Sequence, residues 1–549
     1  MNVRLSTLPV VRRRRPILAL IAAGMVTISG CAGGTPSPAS APADASQWIT
    51  STPPAKGALD SVSWNLMLEP AKLDPAESAN YGESVVLSNL CESLQTLNPD
   101  FSISDGLARL AANEDRTKLV YTIDPKARFW DGKPVTGEDA AYSLTRVWKP
   151  TGVPYWSTYF SAVTGIHATG EREVTLTLRH ADLLLEKLLA TSAGAVVEKA
   201  YSKAHPAFGT PKDPPMCSGP YRFVSWKAGS SVTIERNDAY WRGVTAKTKK
   251  IVFSFLQGDA TQTTALTGDA VQGMFQPPFT GLGRLKEHGN VYYGKTLLTF
   301  YLVPSKKPGP LQDARIRQAL FLALDRKAVA GTAFSGAALP GRSLVPSTAY
   351  GGVTPARSEG TGGSPAELEQ AKELVRQAGS PKQPIVLVAA TGITESMNQT
   401  LQALVEAGKA IGLNMVFKPI TLGQYYGMFG DPKGWKAVDG DGFGSQWNLP
   451  VADPLAQFHI WGAPDDPSNY GGFTDRQASE LIKRARATSD TGTRDELLSQ
   501  ADRRLFDQLP WLPIVEVSST VYLNREVTGP PASFVNWFYP WAAHLGAAK

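Results

Sequence analysis

Residues 129–139 read FWDGKPVTGED and combine a tight turn with the start of a helix. An Asp-Gly dipeptide is typical of tight turns. Thr136 can cap the helix that follows, and the acidic residues after it lie where the helix dipole favours negative charge. The pattern therefore predicts a helix over residues 137–147. We interpret the whole block as structural and assign it no role in ligand binding.

Strand-like and helix-like segments alternate along the rest of the chain. Strand-like composition and alternation occur at residues 61–66, 119–123, 173–178, 231–235 and 250–255. Helical patterns occur at residues 137–147, 313–330 and 364–378. A chain of 549 residues exceeds what one hydrophobic core usually serves. The sequence therefore predicts an α/β fold with more than one lobe.

The N-terminus has the layout of an export signal. A run of arginines at residues 12–15 precedes an uncharged, mostly apolar stretch at residues 16–28, which is followed by Ser-Gly-Cys31. This order is typical of a secretory signal peptide, and the four residues that end at Cys31 resemble the lipobox of bacterial lipoproteins. We expect residues 1–30 to be removed and the sulfur of Cys31 to carry lipid. The alternative is an ordinary signal peptide that contains a cysteine.

Lipidation at Cys31 predicts a protein that is exported and anchored to the outer face of the cell membrane, or to the periplasmic side where the cell has two membranes. Residues 32–57 are rich in Ala, Pro, Ser, Thr and Gly. Such a segment buries too little apolar surface to offset its ordering entropy. We therefore expect residues 31–57 to form a lipid-anchored flexible linker that precedes the folded chain.

The net charge of +6 belongs mostly to the signal peptide, which holds five arginines and no acidic residue. The remaining chain carries about +1, so a nucleic acid is not an expected partner. Beyond Cys31 the sequence has only Cys91 and Cys217. In an oxidising compartment these two predict one disulfide bond, the alternative being two unpaired buried cysteines.

Motifs of common enzyme and metal sites are absent from the sequence. The six histidines are scattered, and neither HExxH, CxxC nor GxSxG occurs. Residues 289–296 fit the spacing of a phosphate loop, but their surroundings are strand-like, and we interpret the match as coincidence. We therefore expect a protein that is not an enzyme and that has no cofactor and no metal site.

Several segments resemble the family 5 extracellular solute-binding proteins, the oligopeptide and dipeptide receptors of ABC importers. The FWDGKPVTGED block is the most recognisable of them. Four more follow in the family's order, at residues 218–229, 235–241, 313–326 and 371–379. The resemblance covers residues 66–528 and implies a receptor that captures peptides or peptide-like solutes, acts as a monomer and delivers its ligand to a membrane permease.

The resemblance also implies an architecture. It is a two-lobe periplasmic-binding-protein fold of type II, similar to cluster C, with an extra subdomain in lobe I. We expect lobe I at residues 58–296, lobe II at residues 297–511 and a C-terminal return to lobe I at residues 512–549. Two strand-like crossings, near residues 297–303 and 512–521, would form a hinge about which the lobes close on the ligand.

The ligand site departs from the family pattern at one position. Residues 447–454 resemble the family segment W-x-A-D-Y-x-D-P, in which the first aspartate holds the amino terminus of a bound peptide, but Pro450 stands at that place. Either Asp439 or Asp441 supplies the missing charge, or the ligand has no free amine there. A solvated loop is the alternative interpretation for the two aspartates.

The resemblance places other side chains at the cleft between the lobes. Tyr81 follows the family's Leu-Asp-Pro segment at the pocket, and Gln446, Trp447 and Asn448 are expected to face the ligand. Tyr425 either joins them or belongs to an aromatic core. A second function stays open because of the departure at residue 450: a solute-binding fold that takes a non-peptide ligand, or that has a regulatory role in the cell envelope without transport.

Overall fold

Strands and helices alternate throughout the part of the chain that the structure describes, and the α/β prediction is confirmed. The structure is a computed structural model and describes residues 42, 44–78, 80–151, 155–243, 245–390, 394–430 and 438–549. All of them belong to one compact unit, residues 38–549. The signal peptide and Cys31 lie outside the described residues. Within these ranges no helix is both long enough and apolar enough to cross a membrane.

The strands are short, and most of them lie in three sheets. In chain order they are β1 (Leu59–Asn65), β2 (Gln95–Leu97), β3 (Ile103–Asp105), β4 (Ala108–Ala112), β5 (Lys118–Ile123), β6 (Val163–Gly170), β7 (Glu173–Leu178), β8 (Tyr221–Lys227), β9 (Ser231–Arg236), β10 (Thr248–Ser254), β11 (Gly273–Phe275), β12 (Gly289–Gly294), β13 (Leu298–Pro304), β14 (Ala338–Pro340), β15 (Ile385–Ala390), β16 (Met415–Ile420), β17 (Gly442–Asn448), β18 (Leu512–Val517), β19 (Ser519–Asn524), β20 (Val527–Thr528) and β21 (Gly546–Ala547).

The α-helices of the described residues connect these strands. They are α1 (Tyr81–Leu90), α2 (Gly137–Trp148), α3 (Leu183–Leu188), α4 (Lys199–Ala204), α5 (Asp259–Thr267), α6 (Leu282–His288), α7 (Ala314–Ala323), α8 (Arg326–Thr332), α9 (Pro365–Gln377), α10 (Glu395–Ala410), α11 (Leu422–Gly430), α12 (Leu455–Gly462), α13 (Arg476–Ala487) and α14 (Thr491–Phe506). The segment predicted as one helix over residues 313–330 is two helices, because Asp325 caps α8 with its side chain and breaks the run.

A seven-stranded sheet organises the first lobe, in the order β12-β19-β11-β1-β10-β9-β8. In it β1 runs parallel to both β10 and β11. Buried aromatic rings fill the layer beside these strands, with the ring of Trp64 4.7 Å from Phe275 and 4.5 Å from Trp541. A Cβ atom at Gly273 would lie 2.2 Å from the Trp64 ring, so only glycine fits there.

A four-stranded antiparallel sheet, β4-β5-β7-β6, forms the subdomain that the family resemblance predicted in the N-terminal half. Helix α2 packs on it and begins as the FWDGKPVTGED block indicated. Thr136 and Asp139 form a reciprocal capping box at its start. A Cβ atom at Gly137 would lie 2.4 Å from the carbonyl oxygen of Glu173, so this helix can approach the sheet only with glycine at that position.

The second lobe contains a six-stranded sheet in the order β14-β18-β13-β17-β15-β16. Strands β15, β16 and β17 are parallel, whereas β13 is antiparallel to both of its neighbours. Two short connections join this sheet to the first one: residues 295–297 between β12 and β13, and Ser518 between β18 and β19. The return to the first lobe therefore occurs at residue 518 and not at residue 512, because β18 pairs with strands of the second sheet.

The predicted flexible linker ends earlier than residue 57. Trp48 is 2% exposed, the backbone N–H of Ile49 donates to Tyr293 of β12, and the hydroxyl of Thr52 donates to the Pro530 carbonyl. Lys56 in turn bonds to Ala547 of β21. Residues 48–57 are thus attached to the first lobe, because burial of the indole and the backbone hydrogen bonds offset the entropy cost of ordering this segment.

Cys91 and Cys217 are joined by a disulfide bond, with their Cα atoms 4.9 Å apart. Cys91 follows the last residue of α1, and Cys217 precedes β8. The bond connects segments 126 residues apart in the sequence, and both cysteines are buried. It fixes α1 beside an edge strand of the first sheet.

Candidate functional site

The direction of the strands indicates where a ligand site is expected. In the first sheet, the last residue of β11 (Phe275) pairs with Val521, near the start of β19. In the second sheet, the last residue of β17 (Asn448) pairs with Leu298, the first residue of β13. Both carboxyl ends therefore lie next to the two connections between the sheets. In α/β proteins, ligands bind in the crevice outside the carboxyl ends of the strands.

The two lobes touch each other beyond this crevice. The Arg486 side chain of α13 forms an ion pair with Asp182, the residue before α3, with 2.8 Å between Nε and Oδ2. The hydroxyl of Tyr159 in the first lobe donates to the carbonyl oxygen of Ala456 in the second. Asp182 has no exposed surface and also caps α3 through the backbone N–H of Leu185. The described arrangement is therefore one in which the lobes are in contact.

Arg486→Ala is expected to weaken this contact. The substitution leaves the Asp182 carboxylate without its cation whenever the lobes meet, and an unpaired buried charge is strongly unfavourable. We expect ligand release at least about tenfold faster, which corresponds to about 1.4 kcal/mol. Stopped-flow release kinetics would measure it, with the exposed Arg484→Ala on the same helix as control. An unchanged release rate would show that the pair has no part in holding the lobes together.

Tyr81 lies at the first-lobe side of the crevice. It is the first residue of α1, and its hydroxyl donates to the carbonyl oxygen of Phe275, at the end of β11. Its ring centre lies 5.9 Å from that of Trp537. Burial raises the pKa of the phenol. The structure therefore places Tyr81 at the carboxyl end of a first-lobe strand, with its hydroxyl already used by the backbone.

Gln446, Trp447 and Asn448 end β17 at the second-lobe side, and all three are half-buried. Trp447 lies opposite Thr299 of β13, and its ring centre is 5.0 Å from that of Trp511. The segment is thus positioned by the β13–β17 ladder beside the first connection. These three residues and Tyr81 come from different lobes, and each lies beside the carboxyl end of a strand next to a connection between the sheets.

Tyr425 belongs to the aromatic core of the second lobe. It is 5% exposed, its hydroxyl donates to the Gly444 carbonyl, and its ring lies 5.1 Å from Phe429 and 6.3 Å from Phe443. The prediction that it contacts ligand is therefore replaced by the alternative of an aromatic core. The neighbouring Tyr426 is exposed instead.

The hypothesis that Asp439 or Asp441 supplies the charge missing at residue 450 is wrong. Both precede β17, whose opposite end carries Trp447, so about 20 Å of extended chain separates them from the crevice. The amine of Lys307 pairs with both carboxylates, at 3.0 and 3.4 Å. Asp441 also accepts the backbone N–H of Val386. Both carboxylates therefore have a cationic partner within the second lobe, at the end of β17 opposite to Trp447.

Pro450 itself is buried next to the first connection. The preceding residue, Leu449, donates its backbone N–H to Leu297 and so extends the β13–β17 ladder. Proline supplies neither a charge nor an N–H group. The nearby Asp453 is already paired with Arg494 and Lys187. Burial opposes its ionisation, but the two cations outweigh burial and lower its pKa.

One acidic residue at this end of the sheet is not among those that the sequence predicts. Glu516 of β18 lies opposite Thr299 of β13, so Glu516, Thr299 and Trp447 form one row across three adjacent strands. Its side chain is 8% exposed, and burial raises its pKa to about 7. The one hint in the sequence is an acidic residue within the apolar run PIVEV. The residues that lie beside Glu516 depend on the order of the strands, which cannot be inferred from the sequence.

Unpaired polar groups lie in and near α12, whose second residue, Ala456, contacts the first lobe. Gln457 is fully buried, and neither its amide nitrogen nor its amide oxygen has a partner among the described residues. The same holds for the indole nitrogens of Trp461 and Trp511. Buried polar groups are nearly always hydrogen-bonded in proteins. This region therefore offers unused donors and an acceptor behind Trp447.

Three comparisons with known proteins bear on the site. Residues 102–469 match the model of the bacterial extracellular solute-binding proteins, family 5. The dipeptide-binding protein of Escherichia coli is 25% identical over 355 residues, which cover 62% of this chain and 64% of that protein. The oligopeptide-binding protein OppA of Bacillus subtilis is 20% identical, covering 85% and 89%.

A solved structure shares the fold over nearly its full length. The protein AgaA from A. tumefaciens R10, in complex with agropinic acid, superposes with a TM-score of 0.77. The match covers 89% of this chain and 99% of that one, at 21% sequence identity. The two-lobe periplasmic-binding-protein architecture with its extra subdomain is therefore the fold of this chain.

Proposed function

The chain belongs to the bacterial extracellular solute-binding proteins, family 5, and we propose that it captures a peptide or peptide-like solute between its two lobes for an ABC importer. The observation that supports this proposal is that Tyr81 and Trp447 lie beside the carboxyl ends of strands in different lobes, each next to a connection between the two sheets. Aromatic faces on opposite lobes suit an extended ligand that offers both apolar and polar surface. The relatives named for dipeptides and oligopeptides support a peptide.

Closure of the lobes is the proposed mechanism of capture. Residues 295–297 and Ser518 are short connections in which backbone rotation moves one lobe relative to the other. Ligand in the crevice would then favour the state in which Arg486 meets Asp182. Members of the family are solute-binding proteins of transport systems, and we propose no catalytic step for this chain. In the closed state it would present both lobes to a membrane permease as a monomer.

The location of the protein is part of the proposal. Family members act outside the cytoplasm, and the N-terminal sequence ending at Cys31 supports attachment through lipid. A tethered receptor stays beside its importer, whereas a freely diffusing one is lost from a cell without a closed periplasm. Because one acyl chain binds a membrane only marginally, firm anchoring requires more than one chain.

A non-peptide solute is the second candidate ligand. Pro450 removes the aspartate that the family uses for a peptide amine, and AgaA, which has the same fold, is described with agropinic acid. Sugar-containing conjugates belong to this class, and blocked or cyclic peptides share with them the lack of a free amine. A purely regulatory role without transport would need no ligand at all.

Thermal-shift measurements with defined pools would test the proposed function. A ligand that binds only the folded state raises the unfolding temperature by mass action. We expect a rise with a pool of random tripeptides to pentapeptides and none with free amino acids. A rise only with sugar conjugates would favour the second candidate. No rise with any pool would contradict a receptor function.

A further inference from the structure

An acidic side chain lies at the connection end of the second sheet, in line with the ligand segment. Glu516 is two residues before Ser518, where the chain crosses to the first lobe. Across the sheet it is paired with Thr299, which is itself paired with Trp447. Residues directly opposite each other in neighbouring strands project on the same face. Two strand spacings, about 10 Å, therefore separate the backbones of Glu516 and Trp447.

The carboxylate of Glu516 is held but not neutralised. Its Oε1 atom accepts hydrogen bonds from the backbone N–H and the hydroxyl of Ser347, at 3.1 and 2.9 Å. Among the described residues, no lysine, arginine or histidine nitrogen lies within 4.0 Å of it. The charge of Arg357 attracts the Glu516 carboxylate only from a greater distance. The other oxygen, Oε2, accepts no hydrogen bond from the described part of the chain.

A chain of contacts leads from Pro450 to this carboxylate. Leu449 bonds to Leu297, the last residue of the first connection. The hydroxyl of Thr348 donates to the carbonyl oxygen of Thr296, in the same connection. Its neighbour Ser347 bonds to Glu516. The acid is therefore linked, through hydrogen bonds and neighbouring residues, to the connection that lies beside Pro450.

We propose that Glu516 binds the ammonium group of the ligand, in place of the aspartate that Pro450 replaces. The inference rests on the proposed function and narrows its ligand to solutes with a cationic nitrogen, such as the free amino terminus of a peptide. A buried carboxylate with fixed hydrogen bonds and no internal cation is electrostatically suited to an ammonium ion. The raised pKa of Glu516 agrees with this, since burial without a cation disfavours its charge.

Other carboxylates near the crevice are less suited to the role. Asp453 already has two cations, and Asp439 and Asp441 share Lys307 at the far end of β17. The remaining rival is Glu83 in α1, whose Oε1 accepts the backbone N–H of Ala71 and whose Oε2 has no partner among the described residues. Glu83 belongs to the first lobe and is not part of the row that contains Trp447, although its charge reaches Tyr426 of the second lobe.

The test compares peptides with and without a free amine. A pool of random tripeptides to pentapeptides and the same pool after N-acetylation are titrated into the wild-type protein, Glu516→Gln and Asp502→Asn at pH 8. Asp502 is the matched control, because it is a second buried acid of the same lobe whose pKa is raised to about 7, and it bonds to Tyr350 and not to the connection. Circular dichroism and the unfolding temperature establish that each variant is folded.

The inference predicts that wild type and Asp502→Asn prefer the free-amine pool at least about tenfold, and that Glu516→Gln loses this preference while still binding the acetylated pool. An equal affinity of the wild type for both pools would overturn the inference and leave the peptide function standing. A preference that survives in Glu516→Gln but disappears in Glu83→Gln would assign the ammonium to Glu83 and also overturn it. No binding of either pool by the wild type would contradict the proposed peptide function, and the inference with it.

Discussion

Replacing Cys91 and Cys217 together by alanine is expected to lower the free energy of unfolding by about 4–5 kcal/mol. The bond closes a loop between residues 126 apart. In the chain-entropy model, a loop of this length strongly restricts the unfolded chain, and removing the restriction favours unfolding. Both cysteines are buried, so alanine avoids adding the cost of a buried hydroxyl group.

Denaturant unfolding of the oxidised protein and the double variant would measure this loss. The wild-type protein treated with a reductant is the control, and its midpoint is expected to fall toward that of the variant. Because two lobes can unfold separately, the transition should be followed by two probes. A loss of less than about 1 kcal/mol in the free energy of unfolding would show that the bond does not constrain the unfolded chain as the loop-length model requires.

Asp453→Asn is expected to destabilise the protein by about 3 kcal/mol or more. The Asp453 side chain has no exposed surface and pairs with Arg494 and Lys187, both at 2.7–2.8 Å. Asparagine keeps the size of the side chain but leaves the buried Arg494 guanidinium, which is 7% exposed, with Asp495 at 4.0 Å as its remaining carboxylate among the described residues. Lys187 belongs to the first lobe, so the variant also removes an ion pair between the lobes.

The stability that Asp453 contributes is expected to decrease as the pH is lowered. The pKa of Asp453 is lowered in the folded state, so the carboxylate contributes stability above its ordinary pKa of 3.8. That contribution is lost as the pH falls through the folded-state pKa. The difference in the free energy of unfolding between wild type and Asp453→Asn should therefore have its full value at pH 7 and become smaller below about pH 4.

Asp439→Asn is the matched control for this experiment, because its carboxylate is mostly exposed and, among the described residues, pairs with Lys307 alone. Exposed ion pairs contribute little, so its unfolding free energy should stay within about 0.5 kcal/mol of wild type. Equal stability losses in the two variants at pH 7 would contradict the role assigned to Asp453.

The sequence predicted those parts of the fold that depend on local patterns. The capping box at Thr136 and the strand over residues 173–178 are local, and both occur where expected. The crossing near residues 512–521 was also recognised as strand-like, but its division between two sheets at Ser518 was not. Sheet membership depends on partners that are distant in the sequence, and periodicity carries no information about them.

The candidate site was less predictable for the same reason. Trp447 could be placed through the family segment, whereas the aspartates before β17 were close in sequence but lie at the wrong end of the strand. Glu516 is far from Trp447 in the sequence and becomes its neighbour only through β13. A strand spans about 3.4 Å per residue, so the six residues from Asp441 to Trp447 cover about 20 Å. Two neighbouring strands are about 5 Å apart, so Glu516 and Trp447, two strands apart, are separated by only about 10 Å.

Native mass spectrometry of the protein mixed with random tripeptides to pentapeptides measures directly whether one chain captures one peptide. A receptor that closes two lobes on a peptide should bind one peptide per chain, saturate, and release its ligand more readily when Arg486 is replaced by alanine. We expect a single saturable adduct with the mass of a peptide that has a free amino terminus. Unsaturable adducts of several peptides per chain, or no adduct at millimolar peptide, would contradict it.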